Sequence, residues 1–183
     1  GKRLSDGPHG VRIKNRDYND KKQNCTMFPN MCCLGATWDV ALMEKVGEAL
    51  GKECAYQGID MLLAPGINIK RNIVCGRNFE YYSEDPVLSG KCAAAMIRGI
   101  QSCGVGTSAK HFAANNQESC RIQNNAVVSQ RALREIYLKS FEIAVKEGNP
   151  WSVMSSYNRV NGTYSMESRF LLTDVLRKDW GYR

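Results

Sequence analysis

Three observations in the sequence predict an α/β fold, an incomplete (β/α)8 TIM-type barrel cut at both ends. Long helical stretches with one apolar face alternate with short apolar runs of strand length, as in a parallel sheet. Polar stretches follow the strands, which is where a barrel carries its site. A closed barrel usually needs about 250 residues, and this chain of 183 offers only four or five strands.

The first helix is expected from Trp38 to Tyr56, with Thr37 as its N-cap. Leu42, Val46, Ala49 and Leu50 recur at helical spacing, and Gly58 can end the helix. The second is expected from Pro86 to Ser102, with Pro86 in the first turn and Gly104 past the end. The third is expected from Gln130 to Glu147, capped by Ser129 and closed by Gly148, with Leu133, Tyr137, Phe141, Ala144 and Val145 on one face. A shorter fourth is expected over Arg169 to Lys178. The strand-length runs are Cys32 to Gly35, Ile59 to Ala64, Val105 to Ala109 and Trp151 to Ser156. Asn68 to Glu84, Lys110 to Arg121 and Tyr157 to Asn161 are the polar connections that follow. A further strand is expected after Trp180-Gly181-Tyr182, and Gly1 to Asp6 already reads as the inside of a folded unit rather than a signal peptide.

With 43% hydrophobic and 23% charged residues, the composition is that of a globular domain with one core. No apolar run is long enough to span a membrane. The net charge of +7 is dispersed, apart from Lys14, Arg16, Lys21 and Lys22. A nucleic-acid reader would gather it into a stripe, so neither nucleic acid nor membrane is expected as a partner. None of the eight cysteines stands in a C-x-x-C pair, which leaves zinc without local support. A reduced, cytoplasmic chain without metal or cofactor is expected. Gly104-Val105-Gly106-Thr107-Ser108-Ala109 matches a dinucleotide fingerprint, but it follows a helix and enters a strand, the reverse of the required order. A tight helix-to-strand turn is the better reading.

The densest chemistry is Lys110-His111, at the end of an apolar run and opening a loop through Asn115, Asn116, Gln117, Glu118 and Arg121. An ammonium, an imidazole, amides and a guanidinium suit a ligand rich in hydroxyls. A lone His is more often structural, and its place beside Lys110 argues otherwise. Ser5 to Arg12 alone reads as a turn-rich loop, since Asp-Gly and Gly-Pro are turn signals. Arg77, Glu80 and the acids before Pro86 suit either helix capping or a site. Met154 to Asn158 suits either a core or an aromatic edge beside a ligand.

Taken in order, Asp6 to Arg12, Gly-Arg-Asn-Phe-Glu at 76–80, Lys110-His111-Phe112 with Asn116-Gln117-Glu118 and Arg121, Met-Ser-Ser-Tyr-Asn at 154–158 and Leu-Leu-Thr-Asp-Val-Leu-Arg at 171–177 form a constellation. Through these five motifs nearly the whole chain resembles the N-terminal barrel of family 3 glycoside hydrolases, which are retaining β-glucosidases and relatives. The resemblance implies that residues 1–183 are one partial catalytic-barrel domain. It implies that Asp6 accepts sugar hydroxyls, that Arg12 walls the same subsite, and that Arg77, Lys110, His111 and Arg121 donate to hydroxyls. Met154 and Tyr157 would form an apolar and aromatic edge, with Glu80 and Glu118 fixing the cations behind. The family's nucleophile is an Asp in a Ser-Asp-Trp segment after the helix ending in Trp-Gly-Tyr, expected past Arg183, and its acid/base Glu lies in a later domain. Asp174 and Asp179, on a helix, are no substitutes, so no catalytic residue is expected in this chain. The expected partners are a β-glucoside and the remainder of the polypeptide. A non-catalytic carbohydrate-binding barrel is the alternative, and within the enzyme class a β-xylosidase or arabinofuranosidase. The stretch from Ala113 to Glu118 argues against the N-acetylglucosaminidase branch, which carries a Gly-and-His-rich loop there.

Overall fold

The structure, a computed structural model, describes residues 1–12 and 24–183. The basic group Lys14, Arg16, Lys21 and Lys22 lies outside the described residues. Four strands form one parallel sheet in chain order: β1 (Leu4–Asp6), β2 (Met61–Leu63), β3 (Gly106–Phe112) and β5 (Ser152–Ser155). A small second sheet joins β4 (Asn125–Ala126), β6 (Arg159–Val160) and β7 (Thr163–Tyr164). Asp6 pairs with Leu63, Leu62 with Thr107, and Lys110 with Met154. All seven residues of β3 are buried, as in a parallel strand covered on both faces. Sequential parallel strands joined by helices are the arc of a barrel wall.

Helix α2 (Val40–Tyr56) connects β1 to β2, and α3 (Pro86–Gln101) connects β2 to β3. Residues 130–148 form the helical connection to β5, with i→i+5 bonding at Leu133–Tyr137 and Ala144–Gly148. The last helix, Phe170–Asp179, is wound the same way. Ser129 caps the third helix by accepting from the Ala132 amide, and Asn149, at φ 50°, follows its end. Residues 102–105 form the turn between α3 and β3, with Gly104 at φ 76°.

Four expectations are corrected. Cys32 to Gly35 is not a strand but part of α1 (Met31–Gly35), nucleated by Asn30, whose side chain accepts from the Cys33 amide at 2.9 Å. A short apolar run carries no periodicity that separates strand from helix, and the preceding Asn was the usable signal. The cap of α2 is Asp39, which accepts from the Leu42 amide at 2.9 Å, and not Thr37, whose hydroxyl turns back to Leu34 O. Trp38 stands between them at φ 57°, outside helical space. Lys110 and His111 do not open a loop: they lie within β3, which runs on to Phe112. Ser5 and Asp6 do not belong to a loop either but end β1.

The core is densest where α2 crosses α3. A Cβ on Gly99 would stand 2.2 Å from Glu44 O, and one on Gly47 would stand 2.7 Å from Met96 O. Backbone touches backbone there, so neither side can yield by turning a side chain. Around the crossing, Met43, Leu50, Ala93, Met96 and Ile100 are almost fully buried. No helix among the described residues is long and apolar enough to cross a membrane.

Two outcomes are expected. Gly99→Ala overpacks the crossing and should lower unfolding stability by about 1–3 kcal/mol, read as an earlier urea midpoint with an unchanged slope. Among the described residues β1 and β5 each have one neighbour. Their free edges should make the isolated chain oligomerise in size-exclusion chromatography.

Candidate functional site

The carboxyl ends of the sheet strands and the loops that follow them line one cavity of about 670 Å³, which reaches back along the sheet to Arg3, Leu4 and Ile59. All eight ligand-facing candidates line it: Asp6, Arg12, Arg77, Lys110, His111, Arg121, Met154 and Tyr157. Each comes from one of the segments singled out in the sequence. Glu80 and Glu118 line an adjoining cavity of about 500 Å³, which shares Asp6, Arg12, Arg77 and Arg121.

Lys110 is the hub. Its side chain is 3% exposed, and its Nζ lies 2.9 Å from Asp6 Oδ1 and 3.5 Å from Glu80 Oε2. Glu80, equally buried, is also engaged by Arg77 Nε. A buried ammonium needs such company, because removing one partner of a buried ion pair costs about 3–5 kcal/mol. Asp6 is held further by the Gly7 amide at 3.1 Å and by Arg12 at 3.9 Å. Burial raises the Asp6 pKa, but the Lys110 hydrogen bond and charge, the Gly7 amide and Arg12 outweigh it, leaving it below the usual carboxylate value. Asp6 is thus an anionic acceptor, with nearly half of its side chain exposed.

His111 is pinned at the backbone. Asn68 Oδ1 accepts from its amide at 2.7 Å, and Asn68 Nδ2 donates to its carbonyl at 2.9 Å. Its Nδ1 lies 3.1 Å from the Tyr81 hydroxyl. Burial, with the charges of Arg77, Lys110 and Arg121, pushes its pKa down to about 2, so the ring is neutral. Arg121 Nη1 donates to Glu118 Oε2 at 2.8 Å, and its guanidinium lies 4.6 Å from the Tyr157 ring centroid. That stack holds Tyr157, 43% exposed, at the rim.

Sequence reasoning missed Asn68 and Tyr81 and read Asn115 only as one of the amides suited to a hydroxyl-rich ligand, yet all three are buried around His111. Asn68 carried a usable signal, as an amide between Ile67 and Ile69, which are themselves buried. Among the described residues no group of three His, Cys, Asp or Glu side chains is placed to hold a metal ion. Asp174 and Asp179 sit on the last helix, paired with Lys178 at 2.8 Å and Arg134 at 3.0 Å.

The depressed histidine gives a pH signature. An unfolded chain binds a proton at this imidazole below its ordinary value of 6.5, whereas the folded chain does not until about 2. Stability should therefore fall as pH drops below 6.5, by up to about 1.4 kcal/mol per pH unit from this group. His111→Asn should remove one proton from that slope in urea titrations between about pH 6.5 and pH 5. An unchanged slope would show that His111 titrates normally in the fold.

Residues 17–183 match the model of the glycosyl hydrolase family 3 N-terminal domain. The chain is 51% identical over 181 residues to thermostable beta-glucosidase B of Acetivibrio thermocellus, covering 97% of this chain and 24% of that protein. It is 50% identical over 188 residues to an exo-alpha-(1->6)-L-arabinopyranosidase of Bifidobacterium breve, covering all of this chain and 25% of that protein. The structure superposes on beta-glucosidase 3B from Thermotoga neapolitana in complex with alpha-D-glucose with a TM-score of 0.95 at 54% identity, covering 98% of this chain and 25% of the other. The chain thus spans about a quarter of the length of these relatives. It belongs to glycosyl hydrolase family 3 and matches that family's N-terminal domain.

Proposed function

We propose that this chain, as a single partial barrel domain over residues 1–183, supplies the glycone-binding subsite of a retaining exo-β-glycosidase, a β-glucosidase. The observation that carries the reading is the shared cavity: one anionic acceptor, four cationic or imidazole donors and an apolar-aromatic edge line the same space. A pyranose presents hydroxyls around its edge and C–H groups on its faces. Asp6 accepts two hydroxyls through charge-assisted bonds. Arg77, Lys110, His111 and Arg121 donate to others, and Met154 and Tyr157 cover the apolar face. Arg12, with its side chain largely exposed, closes the side next to Asp6. Glu80 and Glu118 hold the cations in place from behind. Relatives named beta-glucosidase, and one solved with glucose, support this assignment.

The hydrolytic step needs two carboxyl groups about 5–5.5 Å apart, one attacking the anomeric carbon and one delivering a proton to the leaving oxygen. Asp6 is a poor candidate for the acid, because Lys110 and the Gly7 amide keep it ionised. Asp174 and Asp179 are occupied in surface ion pairs. We assign both catalytic carboxyls to the remainder of the polypeptide. A second reading keeps the same cavity with a glycone lacking the hydroxymethyl group, and the arabinopyranosidase relative at 50% identity favours it.

In the full-length protein Asp6→Asn should lower kcat/KM for nitrophenyl β-glucoside about 100-fold, since bonds to a charged group contribute about 1.5–3 kcal/mol each. An unchanged kcat/KM would remove the sugar-binding assignment. A larger kcat/KM for nitrophenyl α-L-arabinopyranoside than for the glucoside would install the second reading, and no hydrolysis of either would favour a non-catalytic binder. The 183-residue chain alone should release no nitrophenol, and turnover that survives rigorous purification would place the catalytic pair inside it.

A further inference from the structure

We propose that Glu118, Asn115 and Tyr81 form a one-way hydrogen-bond chain that fixes His111 as its Nε2–H tautomer, a standing donor into the cavity. The delivery of that proton to a sugar hydroxyl rests on the function proposed above. The tautomer itself does not.

The direction is set at the carboxylate end. Glu118 Oε2 accepts from Arg121 at 2.8 Å, and Oε1 accepts from Asn115 Nδ2 at 3.0 Å. A carboxylate has no proton to give, so Asn115 must turn its NH2 towards Glu118. The second proton of the same NH2 points to Tyr81 Oη at 3.3 Å. Tyr81 therefore accepts from Asn115, and its own proton needs an acceptor elsewhere. The phenol is buried, and among the described residues its other partner is His111 Nδ1 at 3.1 Å. The O–H donates there, which requires an unprotonated Nδ1. The neutral imidazole then carries its proton on Nε2, which has no hydrogen-bond partner among the described residues, in a ring that lines the cavity.

One anomaly supports this direction. Asn115 Oδ1 is buried and has no hydrogen-bond partner. Turning the amide over would bring Oδ1 to the Tyr81 hydroxyl, but it would also press a carbonyl oxygen against the Glu118 carboxylate. The orphaned oxygen is what remains when the carboxylate decides the orientation. Nor can the imidazole ring turn over at no cost, because carbon would then face Tyr81 and strand a buried O–H. Asn68 fixes the His111 backbone from both sides, and the residue is only 3% exposed, which leaves the ring little space to move away instead. Tyr81, Asn115 and Glu118 are thus positioning residues that act through His111.

The test is long-range proton–nitrogen NMR on full-length protein labelled with [15N]histidine, with the His111 signals assigned by their loss in His111→Gln. The expected wild-type pattern is a protonated Nε2 and a bare Nδ1. Glu118→Gln lets the side-chain NH2 face Asn115, which then turns over, accepts from Tyr81 and reverses the chain. The proton should move to Nδ1, and kcat/KM for the glucoside should fall about tenfold, the equivalent of one lost hydrogen bond. Asn115→Asp should produce the same reversal by a different route and keeps the proposal testable if Glu118→Gln fails to fold. A wild-type Nδ1–H tautomer, an imidazolium, or an Nε2–H pattern that survives both variants would overturn it. An Nε2–H pattern in a protein that neither hydrolyses nor binds glycosides would leave the chain standing and remove the proposed function.

Discussion

The buried ammonium of Lys110 is the constraint on which the rest of the site depends. It sits in the central strand, almost without solvent, between Asp6 of β1 and Glu80 of the loop after β2. Desolvating a lysine is tolerable only with carboxylates in contact. That requirement ties three separate segments of the chain to one point. It also leaves Asp6 ionised and, through Glu80, steadies the Arg77 guanidinium. The cavity owes its shape to a charge that had to be neutralised.

Around this point the cations keep one another useful. Burial, reinforced by the charges of Arg77, Lys110 and Arg121, holds His111 neutral, so its ring adds no further charge. Arg77 and Arg121 are each balanced by a glutamate three residues on or before, Glu80 and Glu118. Both arginines line the cavity, and the Arg121 guanidinium lies over the Tyr157 ring.

Much of this was legible in the sequence because the chemistry is carried by residue type. The alternation of helices and strand-length runs fixed the class, and α3, with Pro86 inside its start and Gly104 past its end, lies within a residue of where its punctuation put it. Local chemistry singled out the stretch from Lys110 to Arg121, the resemblance to family 3 glycoside hydrolases supplied the other candidate side chains, and all eight line one cavity. What was not legible has physical causes. A five-residue helix such as α1 has too few turns to show a period, so a cap has to identify it. The extent of β3 was underestimated because Lys110 and His111 look like surface residues; only their tertiary partners, Asp6 and Asn68, make them strand residues. Tyr81 escaped because nothing local distinguishes a phenol that serves a histidine 30 positions away.

The bond between Asp6 and Lys110 joins residues 104 positions apart, and the cavity exists only once β1, β2 and β3 have found their register. A partly folded chain has no such rim, so any molecule that fits it binds the finished architecture alone. Occupancy then shifts the folding equilibrium by mass action. A ligand at the rim would act as a clasp across the sheet, protecting from proteolysis and heat even those helices it never touches.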